Sequence, residues 1–292
     1  KQSNHGAANV DAIAVGNATL FLQRAKRKIR ELAYNFDVDG YLAPDMTILA
    51  EHVTEGGITQ MAYQQEPNQI IYAVRGDGEL IGLTYQREQQ VTAWHRHVFG
   101  GVFGSGKAVC ESVAVIPTDD TEYEVYVIIK RTINGATKRY IEVLNTFDFT
   151  TTDNTTFNFL DSQLSYSGSS TTTLSGLSHL EGQTVSILAD GATHPDKVVS
   201  SGAITLDRAV TKAKVGLSYS SILQTMRLDA GSQNGTSQGK TKRIYEITIR
   251  LYESVGVEVG ESLTNMERIP FRTSADPMDQ GIPPFTGDKA VE

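Results

Sequence analysis

The sequence predicts an all-β fold. Short runs of β-branched and aromatic residues are broken by Gly, Asn and Asp turns. Almost no segment places apolar residues at helical spacing, and one strand pattern recurs three times in the first half of the chain.

Each unit is a short strand, a gap, a longer strand, a tight turn and a third strand. The first runs through Asp11–Val15, Ala18–Arg24 and Lys28–Asn35. Residues 23–32 have a helix-friendly composition. Five basic side chains (Arg24, Lys26, Arg27, Lys28, Arg30) leave them little apolar face, so a solvated strand and turn is expected. The second unit runs through Ile58–Tyr63, Gln69–Arg75 and Glu79–Gln86, with Gln89–His97 as a fourth strand. Its turn, Gly76-Asp77-Gly78, has the chemistry of a tight hairpin, because Gly accepts positive φ. The third runs through Glu111–Ile116, Glu122–Ile133 and Thr137–Leu144, turning at Asn134-Gly135. Anchored on Ile13, Met61 and Val113, the spacings are 48 and 52 residues. Four-stranded units at roughly 40–50 residues are the sequence signature of propeller blades. Three units fall short of the minimum of about four blades, so an incomplete ring is expected. The remaining blades would come from a missing N-terminal part or from another chain. A stacked β-sandwich is the alternative architecture.

The character changes after Leu144. Residues 146–173, rich in Ser, Thr and Asn, read as an extended connector with one or two weak strands. Residues 174–228 have the size of a small β-barrel, with strands at 183–189, 196–200, 203–207 and 212–220 and turns at Asp190-Gly191 and Ser201-Gly202. Lys242–Glu253 is expected to pair with Met226–Ala230 around the loop Gly231–Gly239, and residues 229–271 are expected to return their long strand to the larger domain. The tail, 272–292, carries Pro277, Pro283 and Pro284, which suits an extended chain laid along a surface.

Composition narrows the function classes. The 292 residues carry 34 acidic against 26 basic side chains, a net charge of −8, and 39% are hydrophobic. That length buries one large core or two ordinary ones. A net acidic chain argues against general nucleic-acid binding, which needs a basic face. No apolar run reaches the ~18 residues of a membrane helix. Lys1-Gln2-Ser3-Asn4 has neither an initiator Met nor a signal peptide, so the chain reads as a fragment or a processed form. A single cysteine, Cys110, removes a disulfide framework and any Cys-based zinc site.

Four clusters carry residue types that could do chemistry. In a strand, His95 and His97 share a face opposite Trp94 and Arg96, but a metal needs a third ligand and none is placed by the sequence. Gly101 to Lys107 loosely matches a phosphate loop. Ala108 stands where a Mg²⁺-binding hydroxyl belongs, and a strand follows instead of a helix, so a flexible loop is expected. Asp37, Asp39 and Gly40 resemble the start of a calcium loop, yet Ile48 occupies the twelfth position. Asp119, Asp120, Glu122 and Glu124 form an acidic loop. It would serve a polysaccharide hydrolase only with two carboxylates about 5 to 10 Å apart, and a solvated loop is the simpler reading. No nucleophile elbow is present. No catalytic, cofactor-binding or metal-ligating residue is assigned.

Three stretches carry a resemblance: Leu32–Tyr41; Ala62–Pro67 through Arg75–Tyr85 to Trp94–His97; and Lys130–Gly135 to Arg139–Glu142. They resemble the tail proteins of short-tailed bacteriophages and prophages, of the tail tubular protein B or nozzle class. Leu180–Gly191 resembles the small barrel of such proteins, which is likened in fold alone to the first catalytic-cysteine half-domain of the ubiquitin-activating enzyme. The resemblance covers roughly residues 28–272 and implies a non-enzymatic virion protein without cofactor. It implies a homo-oligomeric ring, six copies in nozzles, around the channel by which DNA leaves, touching adaptor proteins, fibres or spikes. An acidic lumen would repel the passing duplex. Such a protein is made in the host cytoplasm and resides in the virion. The rival expectation is a carbohydrate- or receptor-binding module of the particle.

Overall fold

Asn134 and Gly135 both take positive φ (48° and 70°), as do Asp190 and Gly191 (47° and 77°). Two consecutive left-handed residues match the twist of flanking strands, which is why Asn-Gly and Asp-Gly close two-residue hairpins. In the computed structural model, residues 4–118, 122–145, 153–226, 239–241, 243–278 and 280–291 are described.

Among these residues the chain is built almost wholly from small antiparallel sheets. The first is a four-stranded meander: β1 (Ile13–Val15), β2 (Ala18–Leu22), β3 (Ile29–Asn35) and β4 (Gly40–Leu42). The second repeats it with β5 (Ile58–Gln64), β6 (Ile70–Arg75), β7 (Leu80–Gln86) and β8 (Val91–His97). A two-stranded hairpin, β9 (Val102–Phe103) and β10 (Gly106–Lys107), precedes the third sheet. That sheet holds β11 (Val109–Pro117), β12 (Tyr123–Ile133) and β13 (Ala136–Leu144). The threefold repeat is therefore present, with β4 as a strand of the first unit that the sequence pattern did not mark.

The three sheets stack face to face. Alternate residues of β6 and β7 point to opposite sides. Ile71, Ala73, Ile81, Leu83 and Tyr85 join Leu20, Leu22 and Ile29 of the first sheet in one core. Tyr72, Val74 and Leu80 join Cys110, Val113, Val125, Val127 and Ile129 of the third sheet in another. The middle sheet is thus buried on both faces. Each fully buried aliphatic side chain contributes about 1.5–3 kcal/mol, so these two cores hold the stack together. The same backbone hydrogen bond recurs at both junctions. The Ile58 amide donates to the Lys26 carbonyl (2.7 Å), and the Cys110 amide donates to the Gly78 carbonyl (2.8 Å). Both carbonyls lie in the turn between the second and third strands of the preceding sheet.

The second half of the chain carries a separate core. β14 (Asp161–Ser175), β15 (Thr184–Ala189), β16 (Ala192–Val198) and β17 (Ala203–Leu217) form one sheet in the order β14-β17-β15-β16. It curls around Leu174, Leu177, Leu180, Val185, Ile187 and Val215, all at most 4% exposed.

Several expected boundaries move. The stretch assigned to a connector, 146–173, contributes a long strand from Asp161, because its Ser and Thr side chains suit a half-exposed edge strand paired to β17. The strands expected at 203–207 and 212–220 are one continuous β17. The long strand of the 229–271 segment, β18 (Ile247–Ser254), is in none of the three stacked sheets. It pairs instead with β21 (Phe285–Val291) in the tail, which is therefore not merely extended. Between them β19 (Glu258–Ser262) and β20 (Asn265–Arg268) form a short hairpin. The tail prolines all precede β21, so none interrupts its ladder. Of the pairing expected between Met226–Ala230 and Lys242–Glu253, residues 227–230 and 242 lie outside the described residues, as does most of the loop 231–239.

Candidate functional site

The glycine-rich segment is where the sheet stack meets the small domain. β12 alternates with β11 and β13 so that Arg131 falls on the buried side of the third sheet, where it is wholly inaccessible to solvent. Its guanidinium donates from Nε to the Gly100 carbonyl (2.7 Å) and forms a two-pronged ion pair with Glu142 on β13. Gly100 in turn donates its amide to Asp161 Oδ2 (2.6 Å), at the start of β14. Burial raises the pKa of the Asp161 carboxyl, opposed by the Gly100 hydrogen bond and by the Arg131 charge. Arg131 thereby ties together the third sheet, the glycine segment and the small domain. A buried guanidinium is tolerated only because its donors are met at this one geometry.

The glycines are there for space. A Cβ on Gly100 would lie 2.7 Å from the Ser218 carbonyl oxygen, and one on Gly101 would lie 3.0 Å from both Arg131 and Leu217. Gly101 also takes φ +85°, which favours glycine. The segment expected to be a flexible loop is therefore a close-packed joint, with its tip, Gly104, in open space. Lys107 lies on β10 and no helix follows, so phosphate-loop geometry is not formed. Two further contacts close the joint: Tyr140 Oη donates to the His179 carbonyl (3.0 Å), and His179 Nε2 lies 3.0 Å from the Ser162 carbonyl.

His95 and His97 do share a face, with their Nε2 atoms 3.0 Å apart. One ring must donate and the other accept, so the pair is satisfied when both are neutral. Burial lowers both pKa values; that of His97 falls to about 4, helped by its neighbour. Gly82 lies directly across from His95, and a side chain there would collide with the ring. Tyr72, its own pKa raised to about 12 by burial, packs beside His97 with ring centroids 5.6 Å apart. Among the described residues no group of three or more His, Cys, Asp or Glu side chains is arranged to hold a metal ion. Trp94, on the opposite face, packs against the core between the first two sheets and donates from Nε1 to the Met46 carbonyl (2.9 Å). It walls a groove of about 340 Å³ with Met46, Ile48, Leu49 and Val53, a largely apolar lining.

The remaining candidates are structural. Asp39 accepts from Tyr34 Oη within the β3–β4 turn, and Asn35 caps the amides of Asp37 and Val38, so this is a self-bonded hairpin tip. Asp119 and Asp120 lie outside the described residues. Glu124 accepts from Tyr126 Oη (2.6 Å), and the Glu122 carbonyl accepts from Thr118 Oγ1 (2.6 Å). Of the basic strip, Lys28 pairs with Asp45 and Glu51 at 2.9 Å each, while Arg30 binds Gln23 and the Ala43 carbonyl. Cys110 is buried, and its thiol is pushed up to about 12 by burial, which leaves it unreactive.

Sequence reasoning passed over Arg131 and Gln60. Gln60 Nε2 donates to the Val113 carbonyl (2.9 Å) while its Oε1 accepts from Ser112 Oγ and the Val113 amide, fastening the second sheet to the third. A charged or amide residue at an apolar-phase position of a strand was the available signal. No helix among the described residues is long and apolar enough to cross a membrane. A scan of protein-family models finds no match to the chain, and a search of curated proteins finds none either.

Proposed function

We propose that this chain is a structural, non-enzymatic component of a short-tailed bacteriophage or prophage tail, of the nozzle class. In this reading the stacked sheets are blades of a propeller-like wall along the DNA-exit conduit. Residues 161–217 are a small barrel-like module that docks neighbouring tail proteins. The observation that carries it is the threefold stack with its doubly buried middle sheet, an architecture suited to bearing load and building walls. The stretches that resemble tail proteins supply several of the fasteners: Tyr85 Oη on Glu31 (2.7 Å) between the first two sheets, the His95–His97 pair, and Arg131 with Glu142. The net charge of −8 fits a conduit that does not retain duplex DNA.

Two measurements test it. Antibodies raised against the purified chain should decorate the tail end of phage particles released by the producing bacterium. Negative-stain images of the assembled protein should show rings with a central hole. Particles that carry none of the chain would overturn the reading.

A further inference from the structure

In five places the sequence puts an acid or an amide before glycine: Asp39-Gly40, Asp77-Gly78, Asn134-Gly135, Asp190-Gly191 and Asn234-Gly235. At such a pair the glycine nitrogen can attack the side-chain carbonyl before it, because no Cβ on the glycine stands in the way. The last pair lies outside the described residues. Three of the others are held. Asp77 is ion-paired to Arg75 (2.5 Å), and a Cβ on Gly78 would collide with Val109. Asp190 Oδ1 accepts from the Thr211 and Lys212 amides, and a Cβ on Gly191 would collide with Asn154. Asp39 accepts from Tyr34 Oη. All three also carry carboxylates, which are poor electrophiles when ionised. Asn134 differs on every count. Its carboxamide is neutral and has no hydrogen-bond partner among the described residues. It and Gly135 are both exposed, and nothing lies within 4 Å of where a Gly135 Cβ would stand. Gly182 approaches only at ordinary contact distance: a Cβ there would lie 3.9 Å from Asn134 Oδ1.

We infer that Asn134 is a site of self-modification, where the chain converts its own amide to aspartate and isoaspartate with water and hydroxide as the only co-reactants. The Gly135 nitrogen gives its proton to hydroxide and bonds to Asn134 Cγ. The Cγ–Nδ2 bond breaks, ammonia leaves, and a five-membered succinimide remains. Water then opens the ring at one of its two carbonyls. Opening at Cγ yields aspartate, and opening at the main-chain carbonyl yields isoaspartate. Nothing is oxidised or reduced. Isoaspartate routes the main chain through the side-chain carbons, which adds one backbone atom to the turn. Two successive positive φ values close this hairpin in two residues, so the added atom misfits the ladder that begins at Ile133 and Ala136. Arg131 and Glu142, the ion pair at the centre of the joint, lie on the two strands that this turn connects. Ageing at one exposed amide thus loosens a buried ion pair. The inference does not rest on the virion reading.

The test incubates the full chain at mildly alkaline pH, which supplies hydroxide, and then digests it with trypsin. Cleavage after Arg131 and Lys138 isolates residues 132–138, apart from the peptide 228–240 that holds Asn234-Gly235. Mass spectrometry should show the amide-to-acid gain in residues 132–138, resolved into aspartate and isoaspartate. Its rate should be within about tenfold of that in the guanidinium-unfolded chain, since only an unbraced turn has to open. Asp77 and Asp190 should stay unisomerised over the same period. The purified isoaspartate form should melt about 2–4 °C below the fresh chain. Asn134→Gly, which suits the same turn and has no amide to lose, should keep its melting temperature through the incubation. Residues 132–138 unchanged while the unfolded chain converts would overturn the inference. An isoaspartate form as stable as the fresh chain, or an Asn134→Gly chain that loses stability equally, would overturn its reach to the joint.

Discussion

The two junctions inside the stack and the junction between the stack and the small domain are made of opposite materials. Between sheets the contact is broad and aliphatic, with Leu20, Ile29 and Leu83 on one side of the middle sheet and Leu80, Val113 and Val127 on the other. Polar fasteners such as Gln60 lie within this apolar contact. At the small domain the centre is ionic: Arg131, Glu142, Asp161 and two glycines pressed against Leu217 and Ser218. Apolar burial is non-directional and scales with area, so one sheet face serves again and again along a stack. A buried ion cluster satisfies its donors at only one geometry, and it holds a single partner in a single pose.

Breaking the ionic junction should have the largest effect. Arg131→Met leaves Glu142 and Asp161 without their cation and should cost about 3–5 kcal/mol in chemical denaturation. The double variant Arg131→Met/Glu142→Leu should regain much of that loss, since one of the two stranded charges, and its repulsion of Asp161, is then removed. A double variant as unstable as the single one would mean the site is held by shape, erasing the contrast. Next, Leu83→Ala in the apolar junction should cost about 3 kcal/mol. No second-site removal of a neighbour should rescue it, because a cavity has no charge to cancel.

Gly101→Ala sharpens the comparison at the joint. Its left-handed φ of +85° and the 3.0 Å approach to Arg131 and Leu217 predict a loss of about 1–2 kcal/mol. Gly104→Ala, with φ +59° and open space around it, should lose less. A larger loss at Gly104 would refute the close-packed joint.

The smallest effect is that of pH. His97 binds its proton more weakly folded (about 4) than unfolded, where about 6.5 is usual. Between these values the unfolded chain holds more protons, so stability is full above pH ~6.5 and declines as pH falls towards 4. Over the single unit from pH 6.5 to 5.5 the decline should be on the order of 1 kcal/mol, and His97→Gln should flatten it. A melting temperature in this window with the same pH slope in both proteins would remove the histidine pair from the account.

Much of the stack was legible in the sequence. The repeat at Ile13, Met61 and Val113, the Asn134-Gly135 and Asp190-Gly191 turns, and the shared face of His95 and His97 all follow from periodicity two and from positive-φ turn chemistry. Arg131 was not singled out, because a lone Arg in a strand is far more often solvated, and its partners Gly100, Glu142 and Asp161 are 11 to 31 residues away in sequence. The segment 161–173 read as connector because Ser and Thr are weak strand markers without a partner. β17, whose residues pair with β14 from 28 to 56 positions later, decides that it is a strand.

By itself the sequence determined the all-β class, the three repeated units, their hairpins and the acidic balance. Those depend on local φ preference, on alternation and on composition, which each residue carries with it. Tertiary structure alone decided that the middle sheet is covered on both faces, that a glycine segment is a joint instead of a ligand loop, and that β18 takes β21 as its partner. These depend on which surfaces meet across long sequence separations, and burial, close backbone approach and the pairing of a charge exist only once they have met.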